Sequence, residues 1–262
     1  MLSFPIQSFV DTVIMGDPID PPVLRATENF SIPFLWYAKD PNFDATINFY
    51  IAMKNLVLDS TLVPPEQDIT LLDWSGGSVG IVMNEQQFHF KGITFKNMDI
   101  GLKIDKLFEG TGQGLHFESC RIGVDTSNNN TGFFALIDSS AKDVDVVFNI
   151  AASPTAQGSI VLENVKVDNS VGSTVSADGT NVLTGSVARG SSWIWGNVYS
   201  PKGHERAEGK LYPASRPQPL IDRSGSYYAV KPPTFQEWDV VNVLNVKDVC
   251  GWPVAGDGIT DE

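Results

Sequence analysis

Four short stretches of the chain share one pattern, and this pattern decides the fold class. They are Ile51–Leu58 (IAMKNLVL), Ile93–Ile100 (ITFKNMDI), Leu115–Ile122 (LHFESCRI) and Ile160–Val167 (IVLENVKV). Each reads apolar, any, apolar, Lys or Glu, Asn or Ser, apolar, any, apolar. Alternation with a period of two is typical of a β-strand. The Asn or Ser, followed at once by an apolar residue, marks a corner where a second strand begins.

The spacing of the copies indicates a solenoid. Their starts are separated by 42, 22 and 45 residues, and a weaker copy lies at Ala135–Ser139. These gaps are close to two, one and two units of roughly 22 residues. Strands that repeat in one direction cannot form a stack of hairpins, but they fit coils that lie about 4.8 Å apart. We therefore predict an all-β, right-handed parallel β-helix; ordinary turns between unrelated strands are the alternative.

Stacked copies would bring their Asn and Ser residues to one corner of the solenoid. Such side chains can hydrogen-bond along the axis, as Asn ladders do in other stacked sheets. The predicted ladder consists of Asn55, Asn97, Ser119, Ser139 and Asn164.

The same alignment predicts apolar columns inside the coils. Phe95, Phe117 and Leu162 share one inward position, and Met98, Cys120 and Val165 share another. Cys120 is therefore predicted to be an inert core residue, because apolar neighbours raise the pKa of its thiol.

The composition is that of a globular protein, and it limits the possible partners. Of the 262 residues, 42% are apolar and 19% are charged, and the formal net charge is -13. A chain this acidic repels phosphate backbones and anionic headgroups, so we expect neither nucleic-acid nor membrane binding. His89, His116 and His204 lack the spacing of metal ligands, and no metal or cofactor is predicted.

The repeat loosens after Val175, and the predicted domain boundaries follow from that change. We predict a parallel β-helix over residues 1–200 whose N-terminal coils are missing, and a Pro- and Gly-rich linker over residues 201–240. Residues 241–262 are predicted to be the truncated opening of a second β-helix domain.

Several motifs carry a resemblance to a known family. Val246-Lys247-Asp248 and the string Ala255–Asp261 (AGDGITD) resemble the opening of β-helix domains of the pectate-lyase superfamily. The order of the earlier segments is similar to that of fungal exo-β-1,3-glucanases of glycoside hydrolase family 55. Those segments are Gly16-Asp17-Pro18, Pro21-Pro22, Asn48-Phe49-Tyr50, Asn84–Phe88 and Gly196-Asn197-Val198-Tyr199.

The resemblance implies a function and a domain arrangement. Members of that family carry two tandem β-helices with the substrate cleft between them, and they are secreted, inverting hydrolases of β-1,3-glucan. The catalytic glutamate of the family lies on the second helix, so no catalytic residue is assigned in this chain. The chain is expected to be the later part of the first helix, extracellular, truncated at both ends and inactive alone. Its expected partners are the glucan and the second β-helix.

A few residues are candidates for binding or modification. The family's water-positioning glutamine has Gln67 as its nearest, insecure counterpart. Trp193 and Trp195 alternate on one strand and could form a sugar platform, or they could pack against the linker. Asn29 and Asn129 begin glycosylation sequons.

Two other functions are compatible with the sequence. The chain could be a non-catalytic β-helix that binds glucan or serves a structural role. It could also be another β-helix polysaccharide enzyme, similar to a pectate lyase or a polygalacturonase, acting on a related polysaccharide.

Overall fold

The fold is almost entirely β. The computed structural model describes residues 1–42, 51–74, 81–128, 130–151, 158–201 and 203–229. The strands are β1 (Ile6–Gln7), β2 (Val13–Met15), β3 (Val23–Arg25), β4 (Trp36–Tyr37), β5 (Ala52–Lys54), β6 (Val57–Asp59), β7 (Leu72–Trp74), β8 (Ile81–Lys91), β9 (Thr94–Lys96), β10 (Ile100–Gln113), β11 (His116–Thr126), β12 (Phe133–Ile137), β13 (Ser140–Ile150), β14 (Ser159–Val167), β15 (Ser173–Ala177), β16 (Thr180–Leu183), β17 (Val187–Ser200) and β18 (Gly203–Pro213). A short 3-10 turn covers Gln218–Leu220.

The strands stack in parallel, which confirms the predicted β-helix. The largest sheet runs in the order β1-β4-β7-β8-β10-β11-β13-β14-β17-β18, and its pairs are parallel as far as β14. Phe88 pairs with Gly110, Gly110 with Phe134, and Phe134 with Ile160, so three successive coils contain 22, 24 and 26 residues. The coils therefore lengthen along the axis.

Each of these coils turns at two corners where the backbone is left-handed. The first corner carries Gly92, Gly114, Asp138 and Asn164, with φ of 61°, 64°, 52° and 51°. The second carries Asn97, Ser119 and Asp143, with φ of 56°, 53° and 53°. Glycine adopts this conformation freely, and Asn and Asp tolerate it better than most other residues. The corner chemistry thus follows from backbone geometry.

The register divides the predicted five-residue ladder. Asn97 and Ser119 stack at the second corner, where Asp143 continues the column. Asn164 belongs to the first corner, and its Nδ2 donates to Oδ1 of Asp138 at 2.6 Å. The prediction assigned residues of both corners to one ladder because both corners require the same local sequence pattern and because the coil length changes along the axis.

The two remaining ladder residues also hydrogen-bond along the axis. Ser139 follows the left-handed Asp138, and its buried hydroxyl accepts from the Leu115 amide of the preceding coil at 3.1 Å. Asn55 lies at a corner of a lower coil (φ 55°), where Nδ2 donates to the Gly16 carbonyl at 3.2 Å.

The inner columns agree with the prediction only in part. The rings of Phe95 and Phe117 stack at 5.2 Å between centroids and 10° between planes. Leu162, however, pairs with Leu136, not with the Phe117 column. The fourth copy of the repeat is thus shifted to the preceding corner of its coil.

Cys120 is a core residue, as predicted. It is 3% exposed, and burial raises the pKa of its thiol. It pairs with Val144 of the next coil, while Val165 lies at the other corner and does not continue this column.

Antiparallel strands end the parallel stack. β16 pairs with β15, β17 pairs with β14, and β18 pairs with β17, all antiparallel. The β18 strand lies where an irregular linker was predicted, so the first part of that segment is regular. The sequence of β18 lacks the apolar alternation that indicates a strand, because only Ala207 of this charged strand is buried. This is common for an exposed edge strand.

Part of the predicted organisation cannot be compared. The proposed second β-helix opening at 241–262 and the end of the linker lie outside the described residues. The domain boundaries therefore stay predictions.

Candidate functional site

A groove lies over the short strands that join the two corners of successive coils. It is an open groove of about 320 Å³, and its floor is the strand backbone of Phe117, Ala141 and Val167. These residues pair in register across β11, β13 and β14. Phe117 and Ala141 are 1% and 4% exposed, so the core holds the floor in place.

One wall of the groove is a column of charged side chains. Register places Lys96, Glu118, Lys142 and Asp168 above one another, one per coil, with alternating sign. Neighbouring coils lie about 4.8 Å apart, so each charge faces an opposite one. At the lower end, Nζ of Lys96 lies 3.3 Å from Oε2 of Glu118.

The opposite wall is a second outward column two residues away. It contains Thr94, His116, Ser140 and Lys166. Nδ1 of His116 and Oγ of Ser140 form a 2.8 Å hydrogen bond. The short side chain of Ser140, between His116 and Lys166, leaves a notch in this wall.

The electrostatics of the groove favour the ionised form of Asp168. A hydrogen bond from the Ser170 hydroxyl, assisted by the charge of Lys142, lowers the pKa of Asp168. Lys166 forms no ion pair with any described residue, which leaves its three donors available. The groove therefore presents carboxylate acceptors and ammonium donors above the strand backbone of Phe117, Ala141 and Val167, whose side chains face the core.

A buried charged cluster holds residues 214–229 against the first corner. Arg216, whose side chain is 4% exposed, donates through Nε to Glu163 at 2.5 Å and through Nη1 to Asp138 at 2.6 Å. Its guanidinium lies 4.3 Å from the centre of the Tyr227 ring, and the Tyr227 amide donates to Asp138 at 2.8 Å. We call residues 214–229 the strap. The cluster engages both carboxylates in anchoring the strap.

The sequence-predicted sugar platform lies elsewhere and is largely inaccessible. Trp193 is 1% exposed, and Trp195 is half-buried against it, with ring centroids 6.2 Å apart. Their strand pairs Trp195 with Ile160 and Trp193 with Leu162. Trp193 also pairs with Leu211 of β18, inside the segment predicted as the linker, and its burial leaves no open face for a sugar.

The other predicted residues are also separate from the groove. Gln67 is half-buried, and its Nε2 donates to the Phe30 carbonyl at 2.5 Å, which fixes a turn. Asn29 is exposed in the turn that precedes Phe30. Asn129 lies outside the described residues.

The groove residues were missed because they belong to three different coils. The repeat did contain a signal, since its Lys or Glu position holds Lys96 and Glu118. The described ranges contain no group of His, Cys, Asp and Glu side chains placed to hold a metal ion. No helix in the same ranges is long and apolar enough to cross a membrane.

The stacked parallel coils define a β-helix protein. A family model described as "Rhamnogalacturonase A/epimerase, pectate lyase-like" matches residues 1–76. The remainder of the chain lies beyond that match.

Curated relatives resemble most or all of the chain. A protein of Cochliobolus carbonum named "Glucan 1,3-beta-glucosidase" is 22% identical over 100% of this chain and 40% of its own length. A Trichoderma harzianum protein named "Glucan endo-1,3-beta-glucosidase BGN13.1" is 27% identical over 91% of this chain and 36% of its own. A Penicillium expansum protein named "Non-secreted LysM effector LysM15" is 24% identical over 100% of this chain and 23% of its own.

These matches confirm the resemblance drawn from the sequence. The relatives named as glucanases match most of the chain, and the family model that matches residues 1–76 is described as pectate lyase-like. The chain spans 40% or less of the length of each of these relatives.

Proposed function

We propose that this chain forms part of a hydrolase of β-1,3-glucan, of the exo-acting, inverting type that the family resemblance implies. The observation that carries the proposal is the similarity to a protein named glucan 1,3-β-glucosidase over the whole of this chain. The polar groove on a β-helix is consistent with a polysaccharide ligand. Because another relative is named as an endo-glucanase, the exo mode rests on the resemblance alone.

The acid that protonates the leaving oxygen is proposed to come from outside the described residues. Inverting hydrolysis needs a carboxylic acid with a raised pKa and, about 6.5–9.5 Å away, a base or an equivalent set of groups that positions the water. Every carboxyl pKa shift resolved in the described residues is downward, at Asp40, Asp59, Asp99, Asp168, Glu205 and Asp222. The buried pair Asp138 and Glu163 is engaged by Arg216. The chain alone is therefore expected to bind glucan without cleaving it.

The test combines binding and hydrolysis. Purified chain is sedimented with insoluble β-1,3-glucan, with cellulose as the β-1,4-linked control, and glucose release from laminarin is measured separately. We expect co-sedimentation with the β-1,3-glucan only, and no glucose. Failure to bind β-1,3-glucan contradicts the proposed substrate, and glucose release contradicts the placement of the acid.

Secretion is a further part of the proposal. Asn29 is exposed in a turn, and the following Ser31 is also exposed, so a glycan there would meet no packed side chains. Expression in yeast behind a secretion leader should give a product whose mass falls on endoglycosidase treatment, and Asn29→Gln should remove one glycan. An unmodified Asn29 in secreted protein would exclude that site.

A non-catalytic role is the second candidate. The match over the entire chain to a protein named as an effector favours it. Sequencing the transcript past the codon for Glu262 separates the two. A reading frame that encodes a second β-helix supports the hydrolase, and a stop codon supports the non-catalytic role.

A further inference from the structure

The groove above Phe117 and Ala141 has the chemistry of a sugar site. We propose that it holds a neutral pyranose residue of a β-1,3-glucan, as a binding site on the flank of the β-helix. The class of sugar rests on the proposed function. What this inference adds is the place on the chain where the sugar binds.

The charges that border the groove select a neutral ligand. Lys142 and Lys166 supply two positive charges, and Glu118 and Asp168 supply two negative ones. An acidic sugar that bound either lysine would also lie beside a carboxylate, at a cost in repulsion. A neutral sugar meets no such penalty.

The same groups match the hydroxyls of a pyranose ring. Carboxylates only accept and ammonium groups only donate, whereas each sugar hydroxyl does both. Glu118 and Lys142 lie on adjacent coils, about 4.8 Å apart along the axis. One ring can therefore bridge an acceptor and a donor, with charge-assisted hydrogen bonds to each.

The notch at Ser140 gives the ring access to the strand backbone between the two columns. Ser140 is the short member of its column, between His116 and Lys166, and it lines the groove. The hydrogen bond with His116 holds the Ser140 hydroxyl at the groove edge. The volume of about 320 Å³ is at the lower end of the range for small-molecule sites.

The experiment is calorimetric titration of the 262-residue chain with laminaritetraose, a neutral β-1,3-linked glucose tetramer. Lys166→Ala removes a donor, and Ser140→Phe fills the notch from the outside of the sheet. The loss of one charged hydrogen bond should raise the Kd about tenfold in Lys166→Ala, and Ser140→Phe should raise it at least as much. Lys106→Ala, at an exposed lysine of β10 away from the groove, should leave it unchanged.

The outcomes separate this inference from the proposed function. If the wild-type chain binds laminaritetraose and both groove variants bind it equally well, the groove assignment is wrong while the glucan ligand stands. If the wild-type chain binds neither laminaritetraose nor laminarin, both proposals fail. Tighter binding of trigalacturonate than of laminaritetraose overturns the charge argument. Circular dichroism of each variant confirms that weakened binding is not unfolding.

Discussion

Single residues at the corners show how backbone geometry selects sequence. Asn97, Ser119 and Asn164 all have φ between 51° and 56°, yet their side chains do different work. Asn164 bonds to Asp138 of the coil below, whereas Ser119 is exposed and supplies only its backbone shape. The residue type at these positions is therefore determined first by the left-handed backbone and only second by a hydrogen bond of the side chain.

Replacing Ser119 with glycine should stabilise the protein. A left-handed conformation costs a non-glycine residue about 1–2 kcal/mol, and the extra entropy of glycine in the unfolded chain offsets roughly half of that. We expect the free energy of unfolding in urea to rise by about 0.5–1 kcal/mol. Asn164→Gly is the matched control and should lower it by about 1 kcal/mol, because the bond to Asp138 is lost. The same sign for both variants would contradict this account of the corners.

Cys120 should be unreactive in the folded protein, and its burial should make stability depend on pH. Burial raises the pKa of the thiol above its ordinary value of 9.0, so the unfolded state loses that proton at lower pH than the folded state does. The contribution of Cys120 is therefore complete below pH 9 and is lost as the pH rises above it. In a Cys250→Ser background, a thiol reagent should label Cys120 only upon unfolding. Rapid labelling of native protein at neutral pH would show that the thiol is accessible.

At the scale of elements, the strap depends on one buried arginine. Arg216 lies between Asp138 and Glu163, and its loss leaves two carboxylates buried without a cation. Other ion pairs on the coils, such as Arg121 with Asp99, are about half exposed and contribute little.

Arg216→Met should therefore destabilise the protein far more than Arg121→Met. Removing one partner of a buried pair typically costs about 3–5 kcal/mol, and an exposed pair contributes less than about 1 kcal/mol. Urea denaturation measures both variants, and limited proteolysis should show new cleavage within the strap of Arg216→Met. Equal stability losses in the two variants would mean that Arg216 does not anchor the strap.

The elements also show why part of the fold escaped sequence analysis. The copies at Ile93–Ile100 and Leu115–Ile122 are 22 residues apart, and they stack as predicted. The copy at Ile160–Val167 was misaligned because the later coils contain 24 and 26 residues. β18 was missed because an exposed edge strand needs no apolar alternation.

At the scale of the molecule, a local repeat sufficed for the fold but not for the site. Alternation and spacing at Phe95 and Phe117 follow from the repetition of one coil, and two copies from coils of similar length reveal it. The groove depends on side chains from three coils, including Ser140, which belongs to no copy of the pattern. As a tryptophan, Trp193 was a plausible sugar platform. The antiparallel pairing of β17 with β14 instead places its side chain in the core.

We propose that this β-helix recognises a neutral β-1,3-glucan, although the family model that matches residues 1–76 is described as rhamnogalacturonase A/epimerase. Affinity electrophoresis tests it most directly, because the net charge of -13 drives the native chain through the gel. We predict strong retardation in gels that contain laminarin and none in gels that contain polygalacturonate. Retardation by polygalacturonate alone would contradict the claim and assign the protein to pectic polysaccharides.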